Sequence, residues 1–383
     1  MHIFDGYKVL TQPVRHVSEA QAELFLARVY GMEGVSVRRI VTERDDTFAV
    51  AGDSSGTGGT RWVLKIENPA EAYEAVEMRA RALQRVECSP DGIPAMRVVP
   101  ALDGSLVTRL DDCGDGIDGE EDVPRDAAAH PAATQTRAAS VTTFVDGTVL
   151  AHLPMPYEPR LVDDIGIRLA QVQKALAGLQ GDDIGFSDVR GRILWDVDLV
   201  SDLAQDLSGL LDSPRQRRLV ERAAAGYDAI RPILSAMPVQ YCHGDFHPGN
   251  LIVRGPRSMS IRGIIDFGDM HVMPVVTDLG TCLTYLIDFD NGNHAFDVCR
   301  RAFAAYCASR PGFDPALARL LPAIFKARIA LAILLPIMVE RYSGARPGHY
   351  LATTSRRFRQ LEMLERWTDG EIASMLLPDG TQS

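Results

Sequence analysis

Tyr241-Cys242-His243-Gly244-Asp245-Phe246-His247-Pro248-Gly249-Asn250 runs directly into Leu251-Ile252-Val253, and Ile264-Ile265-Asp266-Phe267-Gly268-Asp269 follows shortly after. Residues 251–253 and 261–265 are short apolar, β-branched runs. Between them, Arg254-Gly255-Pro256-Arg257-Ser258 is rich in turn formers, so the segment reads as a β-hairpin. A hairpin returns the chain to its start. Asn250, just before the first strand, and Asp266, just after the second, are therefore expected side by side. Asp245 precedes Asn250 on the incoming loop, so three oxygen-bearing side chains converge at one end of a small rigid element. Phosphoryl-transfer sites are built in this way: one carboxylate orients the acceptor hydroxyl, while an amide and a second carboxylate hold Mg2+ against nucleotide phosphates. His-Gly-Asp and Asp-Phe-Gly are each common strings, and it is their spacing around a hairpin that carries the reading.

The pattern His-Gly-Asp-x-x-x-x-Asn, then Ile-Asp-x-Gly, resembles the catalytic and metal-binding loops of the aminoglycoside phosphotransferase and choline kinase superfamily. The resemblance implies an α+β, protein-kinase-like two-lobed fold. A small β-rich N-lobe, residues 1–146, would bind nucleotide, and a larger, mainly helical C-lobe, residues 147–383, would carry the catalytic loop, metal and acceptor site. It also implies Asp245 as the base toward the acceptor hydroxyl, Asn250 and Asp266 as Mg2+ ligands, and ATP or GTP as donor. His243 is expected to brace the loop. His247 either lines the site or fills the turn, and Asp269 either meets a substrate ammonium or is structural.

Upstream, Ser18 caps an expected helix over 18–30, which Gly31 ends. Strands are expected at 35–42, 48–51 and 62–66, with 43–47 as a turn over the phosphates. The glycine-rich stretch 52–59 is not followed by Gly-Lys-Ser/Thr opening a helix, so it reads as a hairpin turn and no Walker A is present. Lys65, on an apolar strand, looks like the superfamily's third-strand lysine, which bridges nucleotide phosphates and a helix glutamate. The helix expected at 69–85 offers Glu71, Glu74 and Glu77. Glu77 is the expected partner, with Glu74 open as an alternative. Glu43-Arg44-Asp45-Asp46-Thr47-Phe48, Val63-Leu64-Lys65-Ile66 and 264–270 are similar to the hydroxylysine kinase branch of the superfamily.

Composition sets the outer bounds. A chain of 383 residues that is 46% hydrophobic can bury two sizeable cores. A net charge of −11 argues against a nucleic-acid partner and is compatible with a cationic small-molecule acceptor. Six cysteines without metal-ligand spacing read as reduced thiols of a cytoplasmic protein, and no secretion signal is visible at the N-terminus. From about 111 to 138 the chain is acidic, then rich in Ala, Pro and Thr, and reads as a solvated insertion between two strands. Residues 141–145 resume as a strand resembling the superfamily's hinge. Helical periodicity follows at 161–179, 190–210, 218–234, 275–288, 294–309 and 314–342. Asp278 is expected to hold the catalytic loop. Residues 327–339 are almost continuously apolar but too few to span a bilayer, so no membrane partner is expected.

The resemblance implies transfer of a γ-phosphate to the hydroxyl of a small amine-containing acceptor, a hydroxylysine-like amino acid or an amino alcohol. An antibiotic-inactivating aminoglycoside-type phosphotransferase and a nucleotide-binding pseudokinase are the alternatives. A protein kinase is disfavoured, because no activation segment ending in Ala-Pro-Glu follows Asp266-Phe267-Gly268.

Overall fold

The computed structural model describes residues 14, 16–42, 45–52, 61–110, 136–179, 193–211, 213–343 and 348–377. The chain divides into two compact units. The smaller comprises Lys8–Gln84 and Arg97–Phe144, and the larger includes Arg85–Met96 and Val145–Ser383.

In the smaller unit, helix α1 (Glu19–Tyr30) is set by a reciprocal cap: Ser18 accepts from the Gln21 amide while Gln21 reaches back to the Ser18 amide. Gly31 ends the helix at φ 68. Such caps contribute about 1 kcal/mol. An antiparallel sheet follows in the order β1 (Ser36–Ile40), β2 (Asp46–Ala51), β3 (Arg61–Ile66), β6 (Arg137–Thr143), β4 (Val98–Val99), with β5 (Thr108–Leu110) also on β6. Phe25 and Leu26 of α1 pack with Phe48, Val50, Leu64, Ile66 and Val141 into one core. Helix α2 (Tyr73–Glu87) begins four residues after the expected start at Pro69.

Two expectations change here. Asp46 and Thr47, assigned to the turn over the phosphates, belong to β2 and are buried. Asp46 is an ionic hub: it accepts from the Val17 amide at 3.0 Å, from Arg137 at 2.7 Å and from Arg39. Burial would raise its carboxyl, but these donors outweigh burial and bring it down to about 2. The second change follows from the first. Strand β6 begins at Arg137, inside the segment assigned to the insertion, because the buried Arg137 guanidinium pairs with Asp46 and donates to the carbonyls of Ile66 and Glu67. Residues 111–135, the glycine-rich positions 53–60 and the turn residues Glu43 and Arg44 lie outside the described residues.

In the larger unit the expected hairpin is present. Leu251 faces Ile264 and Ile252 faces Gly263, joining β9 (Leu251–Val253) to β10 (Gly263–Ile264), and β7 (Thr148–Val149) adds to the other edge of β9. The chain at 94–96 runs along β10 through two backbone hydrogen bonds with Ile264, which explains why 85–96 belongs to this unit. A second pair, β8 (Val239–Cys242) and β11 (His271–Pro274), closes the loop that carries Asp245. Around these lie α3 (Pro159–Leu176), α4 (Val200–Leu207), α5 (Pro214–Ser235), α6 (Val275–Thr284), α7 (Asp297–Ser309), α8 (Leu321–Ser343), α9 (Gly348–Leu364) and α10 (Asp369–Leu376).

The helix expected from 190 starts only at Val200. Asp196 caps a 3-10 turn over Val197–Leu199 ahead of it. The helix expected at 314–342 is present, as a 3-10 turn over Pro315–Leu320 leading into α8, but its apolar part exceeds the run 327–339: the span Pro315–Arg341 has the length and composition to cross a bilayer, yet 89% of its apolar window is buried within the protein. Leu331, Ile333, Leu334 and Met338 of α8 are fully enclosed, as in a core helix. Cys242, Cys282 and Cys299 are buried free thiols, whereas Cys88 is exposed.

Candidate active site

The loop between β8 and β9 is held from three sides. Gly244 has φ +79, and a Cβ there would lie 2.2 Å from the Asp269 carbonyl oxygen, so only glycine fits without displacing backbone. Its amide donates to Asp278 Oδ1 at 3.0 Å. Gln173 Nε2 donates to Asp278 Oδ2 at 2.8 Å, and Tyr306 donates to Gln173 at 2.6 Å. Asp278 is wholly buried, and burial raises its carboxyl. It anchors the loop, as expected. His243 Nε2 donates to the Ile265 carbonyl at 3.2 Å, and its ring packs on Phe246 and Phe267, which locks the loop to the hairpin's second strand.

Asp245 is buried in the middle of this frame, and all of its described side-chain partners are donors. Arg328 Nη2 donates to Oδ1, while His247 Nε2 at 3.1 Å and Asn250 Nδ2 at 2.9 Å both meet Oδ2. The Gly249 amide donates to His247 Nδ1 at 2.9 Å, so the neutral ring carries its proton on Nε2, the atom facing Asp245. Burial would raise the Asp245 carboxyl, but His247, donating from Nε2, and the Arg328 guanidinium overcome burial and hold it far below the usual carboxylate range. A carboxylate accepts about four hydrogen bonds. Three are made here among the described residues, which leaves one acceptor position unused.

Arg328 is the residue that sequence reasoning missed. It lies on α8 with 1% of its surface exposed, donates to the Trp195 carbonyl at 2.9 Å, and sets its guanidinium 4.5 Å from the Trp195 ring centroid. The available signal was a single charge within the apolar run 327–339.

Asn250 and Asp266 come together as the hairpin requires, since the Ile265 amide donates to the Asn250 carbonyl at 3.0 Å. Asp266 has φ 60, the one non-glycine residue with positive φ among those described, and its exposed carboxylate accepts from the Gly268 amide at 3.1 Å. Strained backbone of this kind concentrates at functional sites. An amide oxygen and a free-facing carboxylate are hard donors, which fit Mg2+ completed by phosphate oxygens. Among the described residues no group of three or more His, Cys, Asp or Glu forms a metal cage.

Asp269 is buried beside His271, whose Nδ1 donates to the Asp269 carbonyl at 2.7 Å. Burial lowers the His271 imidazole, but Asp196, 3.5 Å from Nε2, reverses this and leaves it raised.

In the smaller unit, Lys65 Nζ meets Asp45 Oδ2 at 3.0 Å and Glu67 Oε2 at 3.1 Å. The expected pairing with Glu77 is not formed. Glu77 faces outward on α2, 39% exposed, and pairs with Arg81 one turn on. Glu67 takes its place because it follows β3 directly, within reach of both Lys65 and Arg79. Burial pushes Glu67 up; Lys65 and Arg79 pull it down, while Asp45 and Glu71 push it further up.

Residues 37–321 match the model of the phosphotransferase enzyme family. Hydroxylysine kinase of Danio rerio is 24% identical over 276 residues, 71% of each chain. Among solved structures, the amicoumacin kinase hAmiN aligns with TM-score 0.61 at 13% identity, covering 92% of this chain and 95% of that one. A microcompartment-associated aminopropanol kinase aligns with TM-score 0.61 at 17% identity, covering 94% and 99%. These structures share the α+β kinase-like fold. The family match spans the Asp245 loop, the hairpin and Lys65, and the chain belongs to the phosphotransferase enzyme family as a small-molecule kinase acting on a hydroxyl group.

Proposed function

We propose that the protein transfers the γ-phosphate of ATP or GTP to the hydroxyl of a small amine-bearing acceptor, with a hydroxylysine-like amino acid or amino alcohol first. The observation that carries this reading is Asp245, kept ionised and fixed by Arg328, His247 and Asn250 with one acceptor position left for a hydroxyl. In the reaction the acceptor oxygen forms a bond to the γ-phosphorus as the bond to the β–γ bridging oxygen breaks. The electron pair leaves with the nucleoside diphosphate, and the hydroxyl proton passes toward Asp245. Lys65, steadied by Asp45 and Glu67, takes phosphate oxygens. Asn250 and Asp266 would hold Mg2+, which neutralises phosphate charge when bound. Asp269 is the candidate for the acceptor's ammonium. The relative named for hydroxylysine supports the acceptor class, as does the net charge of −11, which favours a cationic ligand.

The test is a coupled assay of nucleoside diphosphate release over hydroxylysine, homoserine, ethanolamine, choline and several aminoglycosides, with both ATP and GTP. Turnover of a small hydroxylated amine is expected. Selective turnover of a neutral sugar with every amine inactive would sink the proposal.

A further inference from the structure

Tyr285, at the C-terminal end of α6, connects the catalytic loop to a second arginine. Its ring stacks on His247 at 4.4 Å with 19° between planes, and His247 in turn donates to Asp245. Two guanidinium groups approach the same ring: Arg328 at 5.6 Å and Arg357, from α9, at 5.3 Å from the centroid. The two are placed differently. Arg328 is neutralised by Asp245. Arg357 is half-buried, its hydrogen-bond partner is the neutral Gln360 Oε1 at 3.1 Å, and among the described residues no carboxylate forms an ion pair with it. Arg328 also keeps a fully buried Nε–H with no partner among the described residues. The flank of Asp245 formed by Tyr285 therefore holds a cation lacking its anion and a buried guanidinium donor lacking its acceptor. Partly desolvated charges and buried donors of this kind are costly until an anionic group meets them.

The geometry points to Arg357 as a specificity residue that receives the carboxylate of the acceptor. On this inference, which rests on the acceptor class proposed above, the substrate is a hydroxylated amino acid and not the corresponding amino alcohol. A planar guanidinium matches a carboxylate through paired N–H donors. The nucleotide phosphates are assigned to Asn250 and Asp266, and the described contacts of Tyr285 and Arg328 run to His247, Asp245 and Trp195 and not to those two residues. Asp269 and Arg357 together would recognise a zwitterion, one charge each.

The experiment uses three acceptor pairs that differ only by the carboxylate: 5-hydroxylysine and 1,5-diaminopentan-2-ol, threonine and 1-aminopropan-2-ol, homoserine and 3-aminopropan-1-ol. For at least one pair, wild-type kcat/KM is expected to favour the acid by roughly 10–100-fold, the range supplied by a charge-assisted hydrogen bond. In Arg357→Gln that ratio should collapse through the acceptor KM, with the nucleotide KM unmoved, and Arg357→Lys should restore part of it. A thermal melt of each variant separates misfolding from lost recognition. Calorimetric binding of the acid and its amine to the wild type supplies a second measurement, needing no variant, in which the acid should bind more tightly. Equal turnover of acid and amine, or a ratio that survives Arg357→Gln, overturns the inference and leaves the proposed function standing. A rise confined to the nucleotide KM also overturns it and assigns Arg357 to the phosphates. Failure of every amine-bearing acceptor instead overturns the proposed function, and the inference with it.

Discussion

Asp245 illustrates how a carboxylate is made useful by what surrounds it. Alone in a buried loop it would protonate; with Arg328 on one oxygen and His247 and Asn250 on the other it stays ionised and points one way. In the proposed reaction it would orient a hydroxyl and receive its proton late, as suits phosphoryl transfer. Asp245→Asn should lower turnover by about 10²–10⁴-fold, the usual worth of a positioned base. Nucleotide binding, measured by calorimetry, should persist. Turnover at the wild-type level would remove Asp245 from the chemistry. Glu77 is the counter-example at this scale. Its position in the helix after β3 was legible, but its direction was not: α2 turns that side chain outward toward Arg81, and Glu67 beside the strand end takes the lysine.

At the scale of elements, the close pair α3 and α7 fixes the frame behind the Asp245 loop, since Gln173 on α3 holds Asp278 and Tyr306 on α7 holds Gln173. Gly166 is where they touch. A Cβ at this position would lie 2.2 Å from the Ala302 carbonyl oxygen and 2.9 Å from the Tyr306 amide nitrogen, both backbone atoms that cannot step aside. Gly166→Ala should therefore force the helices apart and destabilise the protein by about 1–3 kcal/mol, as overpacking does. Denaturant unfolding measures this, and unchanged stability would show that the contact is slack. Periodicity showed α3 and α7 in the sequence. It could not show their spacing, which depends on one missing Cβ. The helix expected from 190 failed for a related reason: residues 197–199 have apolar spacing, but Asp196 caps a tighter turn ahead of α4.

For the whole molecule, two buried ionic sites give the stability curve opposite limbs. Asp46 is lowered in the folded state to about 2, below its unfolded value of roughly 3.9. Its contribution is present above the unfolded value and is lost as pH falls through about 2. His271 is raised by Asp196, so its contribution is full below roughly pH 6.5, the unfolded value, and fades as pH rises through the folded value. Melting temperature followed against pH should therefore show an acid limb that flattens in Asp46→Asn and a second limb, falling above roughly pH 6.5, that flattens in His271→Gln. Asp46→Asn should also lower the whole curve, because it leaves the buried Arg137 without its carboxylate; removing one partner of such a pair costs about 3–5 kcal/mol. Parallel curves for wild type and variant would show that the pair in question does not govern that limb.

The sequence by itself determined whatever depends on neighbours along the chain. The Ser18 cap and Gly31 stop, the hairpin that joins Asn250 to Asp266, the Asp245 loop and the strand carrying Lys65 are all local patterns of turn chemistry and alternation. Tertiary structure alone decided which distant groups meet. Arg328 reaches Asp245 across 83 positions of sequence, Arg137 reaches Asp46 across 91, and Arg357 and His247 share one tyrosine ring. Burial is the reason for the difference. A charge in an apolar helix or at the edge of a low-complexity segment looks out of place until the fold supplies its partner, and the cost of leaving it unpaired then fixes where both residues must lie.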